Sequence, residues 1–156
     1  VGRVGAGARI LGVGWGGGLP SIPLAVRFPE AHLTAADSIR KKITVVGGVA
    51  RSLGLENVTP RCGRVETLQE RFDYVVSRAV TAMPEFVAWI WKKIEPGQKG
   101  SLPNGILYLK GGDLAEELAR TGKRWRLYSI PEFFDDPFFE TKKVVYTSVS
   151  GLENRF

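Results

Sequence analysis

A glycine-rich loop and one aspartate give the first indication of chemistry in this sequence. Residues 12–17 have the sequence GVGWGG, which fits the G-x-G-x-x-G pattern of loops that approach a nucleotide cofactor. Glycines permit this because a ligand can come close to a backbone that carries no side chains. Asp37 follows twenty residues after Gly17, where such folds place the acid that accepts hydrogen bonds from ribose hydroxyls. The spacing predicts a site for a cofactor that contains adenosine.

The residues that follow the loop indicate which cofactor fits. A pyrophosphate needs free backbone N–H groups at a helix N-terminus, and Pro20 and Pro23 remove two such donors. A cofactor without phosphates, such as S-adenosylmethionine, therefore fits better than a nicotinamide dinucleotide, which the literal pattern leaves open. Two purely structural explanations also stay open: the glycines could form a bare turn, and Asp37 could stabilise a helix N-terminus beside Ser38.

Strands and helices alternate around this loop. Apolar and β-branched runs predict strands over 8–13, 32–36, 57–61, 72–77 and 105–110, with helices over 22–28, 39–53, 81–93 and 113–120. Two more strands, 123–130 and 142–148, have no helix between them and must run antiparallel or pair as a long hairpin. The pattern predicts an α/β fold with an open, doubly wound, mostly parallel sheet and an antiparallel closing strand. Ligands of such sheets bind outside the carboxyl ends of the strands, where the strand order reverses.

Particular residues predict the details of these elements. Ser38 is the predicted N-cap of the helix over 39–53, and Gly54 is its predicted stop. The strand over 72–77 is predicted to be central, because β-branched and aromatic residues dominate it. The aromatic-rich segment 133–139 is predicted to form a hydrophobic lid on the sheet edge.

Composition places the chain among ordinary globular proteins. Of its 156 residues, 44% are hydrophobic and 24% are charged, which excludes the disordered and collagen-like classes. Cys62 and His32 are the single cysteine and histidine, so no intramolecular disulfide or cysteine-based zinc site can form, and we expect no metal. We expect Cys62 to pack as a small apolar residue and His32 to have a structural role. Without a signal peptide or a run of about 20 apolar residues, a cytoplasmic protein with no membrane partner is predicted.

The charge balance favours a polyanionic partner. Lys and Arg number 22 against 16 Asp and Glu, a formal net charge of +6, and cations gain affinity for phosphates by releasing counterions. The candidate RNA contacts are Arg40, Lys41, Lys42, Arg61, Arg64, Arg78, Lys110, Lys123, Arg124 and Arg126. Of these we favour Arg64, Arg78 and Lys110. For each residue, a solvated surface position is the alternative unless several of them share one face.

Six stretches of the sequence carry a resemblance to a known family. In chain order they are VGWGGGLPSIPL (13–24), FPEAH (28–32), DSIRKK (37–42), GRVE (63–66), FDYVVSRA (72–79) and LKG (109–111). Together they resemble the glucose-inhibited division protein B family, the bacterial 16S ribosomal RNA guanine-N7 methyltransferases, which have a class I, Rossmann-like fold and use S-adenosylmethionine. The resemblance implies the same fold, cofactor and reaction here, with 16S rRNA or the assembling small ribosomal subunit as substrate.

The resemblance also implies roles for individual residues. The cofactor-binding residues would be Gly14, Gly16 and Leu19 in the loop beside the methionine part, Asp37 at the ribose, Val65 and Glu66 beside the adenine, and Arg78. No catalytic acid or base is expected, because guanine N7 has no proton to lose. The reaction then needs only the alignment of N7, the methyl carbon and the sulfur.

Three positions depart from the family's pattern. Gly12 stands where the family usually has an acid, Trp15 where it has a small residue, and Ser21 where it has glycine. The family's helical N-terminal segment is also absent, so we treat 1–156 as one S-adenosylmethionine-dependent methyltransferase domain and expect it to be a monomer. Two other functions stay open: a nicotinamide-dependent (NAD-type) oxidoreductase, and a non-catalytic RNA-binding relative that has lost cofactor binding.

Overall fold

Seven strands form one sheet in the computed structural model, which describes residues 7–13, 21–64, 67–78, 83–99, 104–111, 120–123, 125–129 and 142–149. The strands are β1 (Arg9–Val13), β2 (His32–Asp37), β3 (Val58–Cys62), β4 (Tyr74–Arg78), β5 (Gly105–Gly111), β6 (Arg126–Ser129) and β7 (Lys142–Ser148). The helices in these ranges are α1 (Ser21–Arg27), α2 (Arg40–Ser52) and α3 (Met83–Ile90), and a 3-10 turn (Trp91–Lys93) continues α3.

The strand order reverses once within the parallel part of the sheet. The order is β3-β2-β1-β4-β5-β7-β6. Strands β1 to β5 pair in parallel, and β7 pairs antiparallel with both β5 and β6. The chain therefore builds outward from β1 through β2 to β3, and then crosses back to β4 on the other side of β1. This confirms the predicted doubly wound, mostly parallel sheet with its antiparallel closing strand.

Most predicted elements lie within one or two residues of the observed ones. Strand β7 has the predicted bounds, and β4 is the middle strand of the seven, as its β-branched content indicated. The predicted helix over 81–93 ends as an α-helix at Ile90, because its last turn tightens into the 3-10 turn before Ile94 bridges to Phe72. The predicted helix over 113–120, apart from Arg120, and the predicted lid over 133–139 lie outside the described residues.

Apolar side chains pack on both faces of the sheet. The cluster between the sheet and α3 contains Leu11, Val75, Phe86, Ile90, Ile106 and Tyr108. The clusters beneath α1 and α2, on the opposite face, contain Ile10, Ala25, Leu33, Val46, Ala50 and Tyr74. All of these side chains are at most 5% exposed. Their burial is the main favourable contribution to stability, since each Å² of apolar surface removed from water contributes about 25 cal/mol.

The start of α2 differs from the prediction. Ile39 occupies the N-cap position, with φ −94° and ψ 109°, and no side chain caps the helix there. The prediction that Ser38 is the cap is therefore wrong. The physical reason is the Asx-type turn before the helix, in which Asp37 Oδ1 accepts the backbone N–H of Ile39 at 2.8 Å. The helix then begins one residue later than predicted, with the carbonyl of Ile39 accepting the N–H of Ile43.

The predicted end of α2 is confirmed. Gly54 has φ +68°, a left-handed conformation that favours glycine. The backbone N–H of Gly54 donates to the carbonyl of Arg51, and that of Leu55 donates to the carbonyl of Ala50. These two bonds form a Schellman motif, which satisfies carbonyl groups at the end of the helix.

The single cysteine and histidine both lie at the surface. Cys62 is exposed, so the prediction that it packs as an apolar residue is wrong. It ends the outermost strand, where few side chains are available to cover it, and its Sγ lies 3.8 Å from the carbonyl oxygen of Ser38. His32 begins β2, and its Nε2 lies 2.8 Å from Thr59 Oγ1 on the neighbouring strand β3. This contact agrees with a structural role for the histidine.

A buried polar network holds the amino ends of the central strands. The Oδ2 of Asp73 accepts the backbone N–H of Arg9 at 2.8 Å, and its Oδ1 accepts a hydrogen bond from Asn104 Nδ2 at 3.2 Å. Asn104 also donates to the carbonyl of Glu95 and accepts from the N–H of Lys99. The starts of β1, β4 and β5 are therefore tied together by satisfied hydrogen bonds, as buried polar groups require.

Two glycines give a matched test of this packing. Gly48 lies in α2 with no atom within 4 Å of the position that a Cβ would take, so Gly48→Ala is expected to raise the free energy of unfolding by about 0.5–1 kcal/mol. Gly105 pairs with Ser148, and a Cβ there would clash with the carbonyl oxygen of Thr147. Gly105→Ala is therefore expected to lower the free energy of unfolding by about 1–3 kcal/mol. Urea denaturation measures both changes, and shifts of the same sign would contradict the packing.

Candidate functional site

The carboxyl ends of the parallel strands meet along one edge of the sheet. Val13, the last residue of β1, pairs with Ala36 of β2 and with Ser77 of β4. Asp37, at the end of β2, pairs with Cys62 at the end of β3. The strand order reverses between β1 and β4, and α1 and α3, the helices that come next in the described residues, lie on opposite faces of the sheet. Sheets of this topology bind ligands outside the carboxyl ends of the strands at such a reversal. The predicted glycine loop begins directly after Val13.

Asp37 has a structural role at this edge, and one of its carboxylate oxygens accepts no hydrogen bond from the described residues. It is partly exposed. Its Oδ1 accepts the N–H of Ile39, and its backbone carbonyl accepts the N–H of Gly63 at 2.9 Å. The end of β2, the start of α2 and the residue after β3 are thus held together. Within the described ranges no group donates a hydrogen bond to Oδ2, so the structural explanation accounts for one carboxylate oxygen and leaves the second available to a hydroxyl group.

Ser77 is a site residue that sequence reasoning missed. It is fully buried, and its Oγ donates to the backbone carbonyl of Val13 at 3.1 Å. This bond joins the last residue of β1 to β4 at the point where the strand order reverses. The available signal was a hydroxyl in an otherwise apolar central strand, since a buried hydroxyl needs a partner. Which carbonyl it would meet depends on the register between β1 and β4, which the sequence does not specify.

The predicted site residues fall into three groups. Asp37 and Arg64 lie at the described edge, and Arg64 is an exposed residue two positions after β3. The backbones of Arg78 and Lys110 lie at the ends of β4 and β5, where Arg78 pairs with Leu109. The residues outside the described ranges are Gly14, Gly16, Leu19, Val65 and Glu66. Four predicted positions are thus brought to one edge by parallel strand pairing.

A cavity lies at the opposite, amino edge of the sheet. Its volume is about 500 Å³, and its walls include Glu30, His32, Glu56 and Asn57. It is remote from Asp37, because His32 and Asp37 are the two ends of β2. Two of its polar side chains are already engaged: His32 contacts Thr59, and Asn57 Nδ2 donates to the carbonyls of Ala25, Phe28 and Ala31. The carboxyl edge is therefore the better candidate.

The described residues contain neither a metal-binding cluster nor a membrane-spanning helix. Among the described side chains, no group of three His, Cys, Asp or Glu residues is placed to hold a metal ion. None of the helices in the described ranges has the length and apolar character that crossing a bilayer requires.

A family model matches most of the chain. It is the model of the rRNA small subunit methyltransferase G (GidB) family, and it matches residues 3–139. The matched stretch runs from before β1 to beyond β6. It therefore contains every position that the sequence predicted for the site.

Curated relatives agree with this match. The ribosomal RNA small subunit methyltransferase G of Flavobacterium psychrophilum is 55% identical over 141 residues, which are 90% of this chain and 67% of that protein. The protein of the same name from Bacteroides fragilis is 44% identical over 147 residues, which are 94% of this chain and 71% of that protein. The chain spans about two thirds of the length of the relatives it matches.

Solved structures share the fold. A SAM-dependent methyltransferase from Aquifex aeolicus superposes with a TM-score of 0.71 at 14% identity, over 92% of this chain and 83% of that one. A SAM-dependent O-methyltransferase from Thermotoga maritima superposes with a TM-score of 0.70 at 15% identity, over 93% of this chain and 60% of that one. An rRNA methylase from Streptococcus thermophilus superposes with a TM-score of 0.65 at 12% identity, over 93% of this chain and 89% of that one. At these identities the likeness concerns the class I methyltransferase fold.

Ser77→Ala tests the bond that closes this edge. The substitution leaves the Val13 carbonyl without its side-chain donor, so we expect the free energy of unfolding to fall by about 1–3 kcal/mol. Thr147→Val is the matched control, because Thr147 Oγ1 is buried and has no hydrogen-bond partner in the described part of the chain. Losing that hydroxyl is expected to leave stability unchanged or to raise it. Chemical denaturation compares the two variants, and a Ser77→Ala protein as stable as the parent would refute this role.

Proposed function

Because the chain belongs to the rRNA small subunit methyltransferase G family, we propose that it transfers a methyl group from S-adenosylmethionine to N7 of a guanine in 16S ribosomal RNA. The observation that carries the proposal is the 55% identity to a relative of that name over 90% of this chain. The methyltransferase fold and the reversal of strand order between β1 and β4 agree with it. Neither a nicotinamide-dependent oxidoreductase nor a non-catalytic relative finds support in the comparisons.

The chemistry of the carboxyl edge suits an adenosine-containing cofactor. Asp37 Oδ2 can accept a hydrogen bond from a ribose hydroxyl while Oδ1 keeps the turn into α2 closed. The cofactor-binding residues that we propose are Gly14, Gly16, Leu19, Asp37, Val65, Glu66 and Arg78. Their support is positional: the first three directly follow β1, Asp37 and Arg78 end β2 and β4, and Val65 and Glu66 follow β3 by a few residues.

The protein's part in the reaction is alignment. S-adenosylmethionine supplies an electrophilic methyl group on a sulfonium centre. Guanine N7 has an exposed lone pair and no proton to lose, so we assign no general base and no catalytic residue. Holding the base in line with the methyl carbon can contribute about 7–11 kcal/mol through positioning alone. The rigid strand ends at Val13, Asp37 and Ser77 provide the fixed frame that such alignment needs.

The substrate that we propose is 16S rRNA, free or within the assembling small subunit, in the cytoplasm. Arg64, Arg78 and Lys110 are the RNA contacts that we propose, because their positions follow or end β3, β4 and β5 at the edge that would hold the cofactor. Residues 1–156 would act as one methyltransferase domain and as a monomer, without a membrane partner.

Methyl transfer tests the proposal directly. We expect the protein to move tritium from S-adenosyl-[methyl-³H]methionine to unmodified 16S rRNA or to small ribosomal subunits that contain it. Nuclease digestion and mass spectrometry should then identify the product as N7-methylguanosine. Label on another atom would contradict the N7 assignment. Failure to label either substrate, with S-adenosylhomocysteine bound, would favour a non-catalytic relative.

Asp37 allows the binding role to be separated from the structural one. Asp37→Asn keeps an oxygen that can accept the Ile39 N–H but replaces the second acceptor with an NH₂ donor. We therefore expect S-adenosylhomocysteine to bind about tenfold or more weakly in calorimetry, a loss of about 1.4 kcal/mol, with unchanged stability. Asp37→Ala should reduce both binding and stability.

Glu56→Gln is the matched control for these variants. Glu56 is an exposed acid beside the amino end of β3, so its charge should not affect the carboxyl edge. Parent-like affinity in Asp37→Asn would show that Asp37 serves only the turn into α2.

A further inference from the structure

The positive charge of the protein is concentrated in one segment. Residues 38–64, from the turn after β2 through α2 to just beyond β3, contain six basic residues and one acid, a net charge of +5. The whole chain carries +6, so all the other residues together carry +1. A partner attracted by this protein's charge would therefore meet this segment first.

Most of these cations lie at the carboxyl edge. Arg40, Lys41 and Lys42 form the first turn of α2, and Arg64 lies two residues beyond β3. Backbone contacts bring the two places together: Asp37 pairs with Cys62 and accepts the N–H of Gly63. The start of α2 and the end of β3 therefore lie side by side, next to the proposed ribose-binding acid.

Two cations of the segment do not belong to this group. Arg51 lies in the last turn of α2, at the opposite end of the helix. Arg61 lies within β3, before its end, and forms an ion pair with Glu70. We define the α2 basic edge by position, as the cations of the first turn of α2 and the cation just beyond β3: Arg40, Lys41, Lys42 and Arg64. Arg40, Lys41 and Arg64 are exposed and Lys42 is partly exposed.

Local helix energetics do not explain these residues. The N-terminus of a helix carries a partial positive charge and favours acids, whereas the first turn of α2 contains three cations and no acid. Ion pairing within the helix does not explain them either, because α2 contains no Asp or Glu. An external polyanion accounts for three adjacent cations in an electrostatically unfavourable place.

We propose that the α2 basic edge binds the phosphate backbone of the RNA next to the target base. This inference rests on the proposed function, and it adds a surface that the resemblance did not assign. Three side chains of one helical turn can neutralise neighbouring phosphates without reading bases, so the contact orients the RNA strand along the edge beside Asp37. Four cations grouped around the start of α2 and the end of β3 make this assignment stronger than any single residue would.

Two triple variants of equal charge test the proposal. Arg40→Gln/Lys41→Gln/Lys42→Gln removes the cations of the first turn. Arg51→Gln/Lys92→Gln/Lys99→Gln removes three exposed cations elsewhere. The probe is an unmodified 16S rRNA transcript, with binding measured as a function of salt concentration in the presence of S-adenosylhomocysteine.

The salt dependence distinguishes contact from general attraction. A plot of log K against log salt has a negative slope. For single-stranded RNA each lost phosphate contact reduces the magnitude of that slope by about 0.7. We therefore expect the first-turn variant to lose about two units of slope and at least about tenfold in affinity at moderate salt, with the control variant close to the parent. Equal losses in both variants would overturn the proposal, because they would show a dependence on net charge alone.

Cys62 provides an independent reporter beside the same surface. It is the single cysteine of the sequence and is exposed. With S-adenosylhomocysteine present throughout, saturating 16S rRNA is expected to slow alkylation of Cys62 by at least about tenfold in the parent. An unchanged alkylation rate in the saturated complex would place the RNA elsewhere.

These tests fail separately from the proposed function. S-adenosylhomocysteine affinity should be the same in both triple variants and in the parent, because none of the changed residues is assigned to the cofactor. A parent that methylates RNA while the first-turn variant keeps its salt slope overturns the surface alone. A parent that binds RNA through this surface and transfers no methyl group overturns the reaction alone.

Discussion

The parallel pairing of β1 with both β2 and β4 is the constraint on which the rest of the structure depends. It sets Val13 beside Ala36 and Ser77, so these three strands end at the same edge of the sheet. The helices α1 and α3 lie on opposite faces of the sheet, and in sheets of this topology ligands bind where the strand order reverses in this way. Ser77 secures this arrangement with a buried bond to the Val13 carbonyl. The polar network around Asp73 does the same for the amino ends.

Stability and function compete at the start of α2. Each cation in the first turn opposes the helix dipole by about 0.3–1 kcal/mol at low ionic strength. The helix forms because Val46 and Ala50 are buried against the sheet, while the glycine at its end satisfies the last carbonyls. Asp37 offsets part of the electrostatic cost by accepting the Ile39 N–H. The same carboxylate can thus support the helix through one oxygen and a ligand through the other.

The sequence predicted the architecture better than the local contacts. Short apolar runs between the helical segments indicated the strands. The β-branched content of 72–77 indicated a central strand, because burial on both faces of a sheet selects such residues. Ser38 was wrongly predicted as the cap, because the turn that Asp37 forms with the N–H of Ile39 starts the helix one residue later. The exposure of Cys62 follows from the outer position of β3, which emerges only from the strand order. Ser77 was missed because its partner is set by register.

Amide hydrogen exchange with and without S-adenosylhomocysteine tests the central claim most directly. If the cofactor occupies the carboxyl edge, exchange should slow in peptides that contain the ends of β1 and β2 and the residues after β3. Peptides around Asp73 and Asn104 at the amino edge should exchange as before. Slower exchange confined to the amino edge, or protection by NADH and not by S-adenosylhomocysteine, would contradict the account.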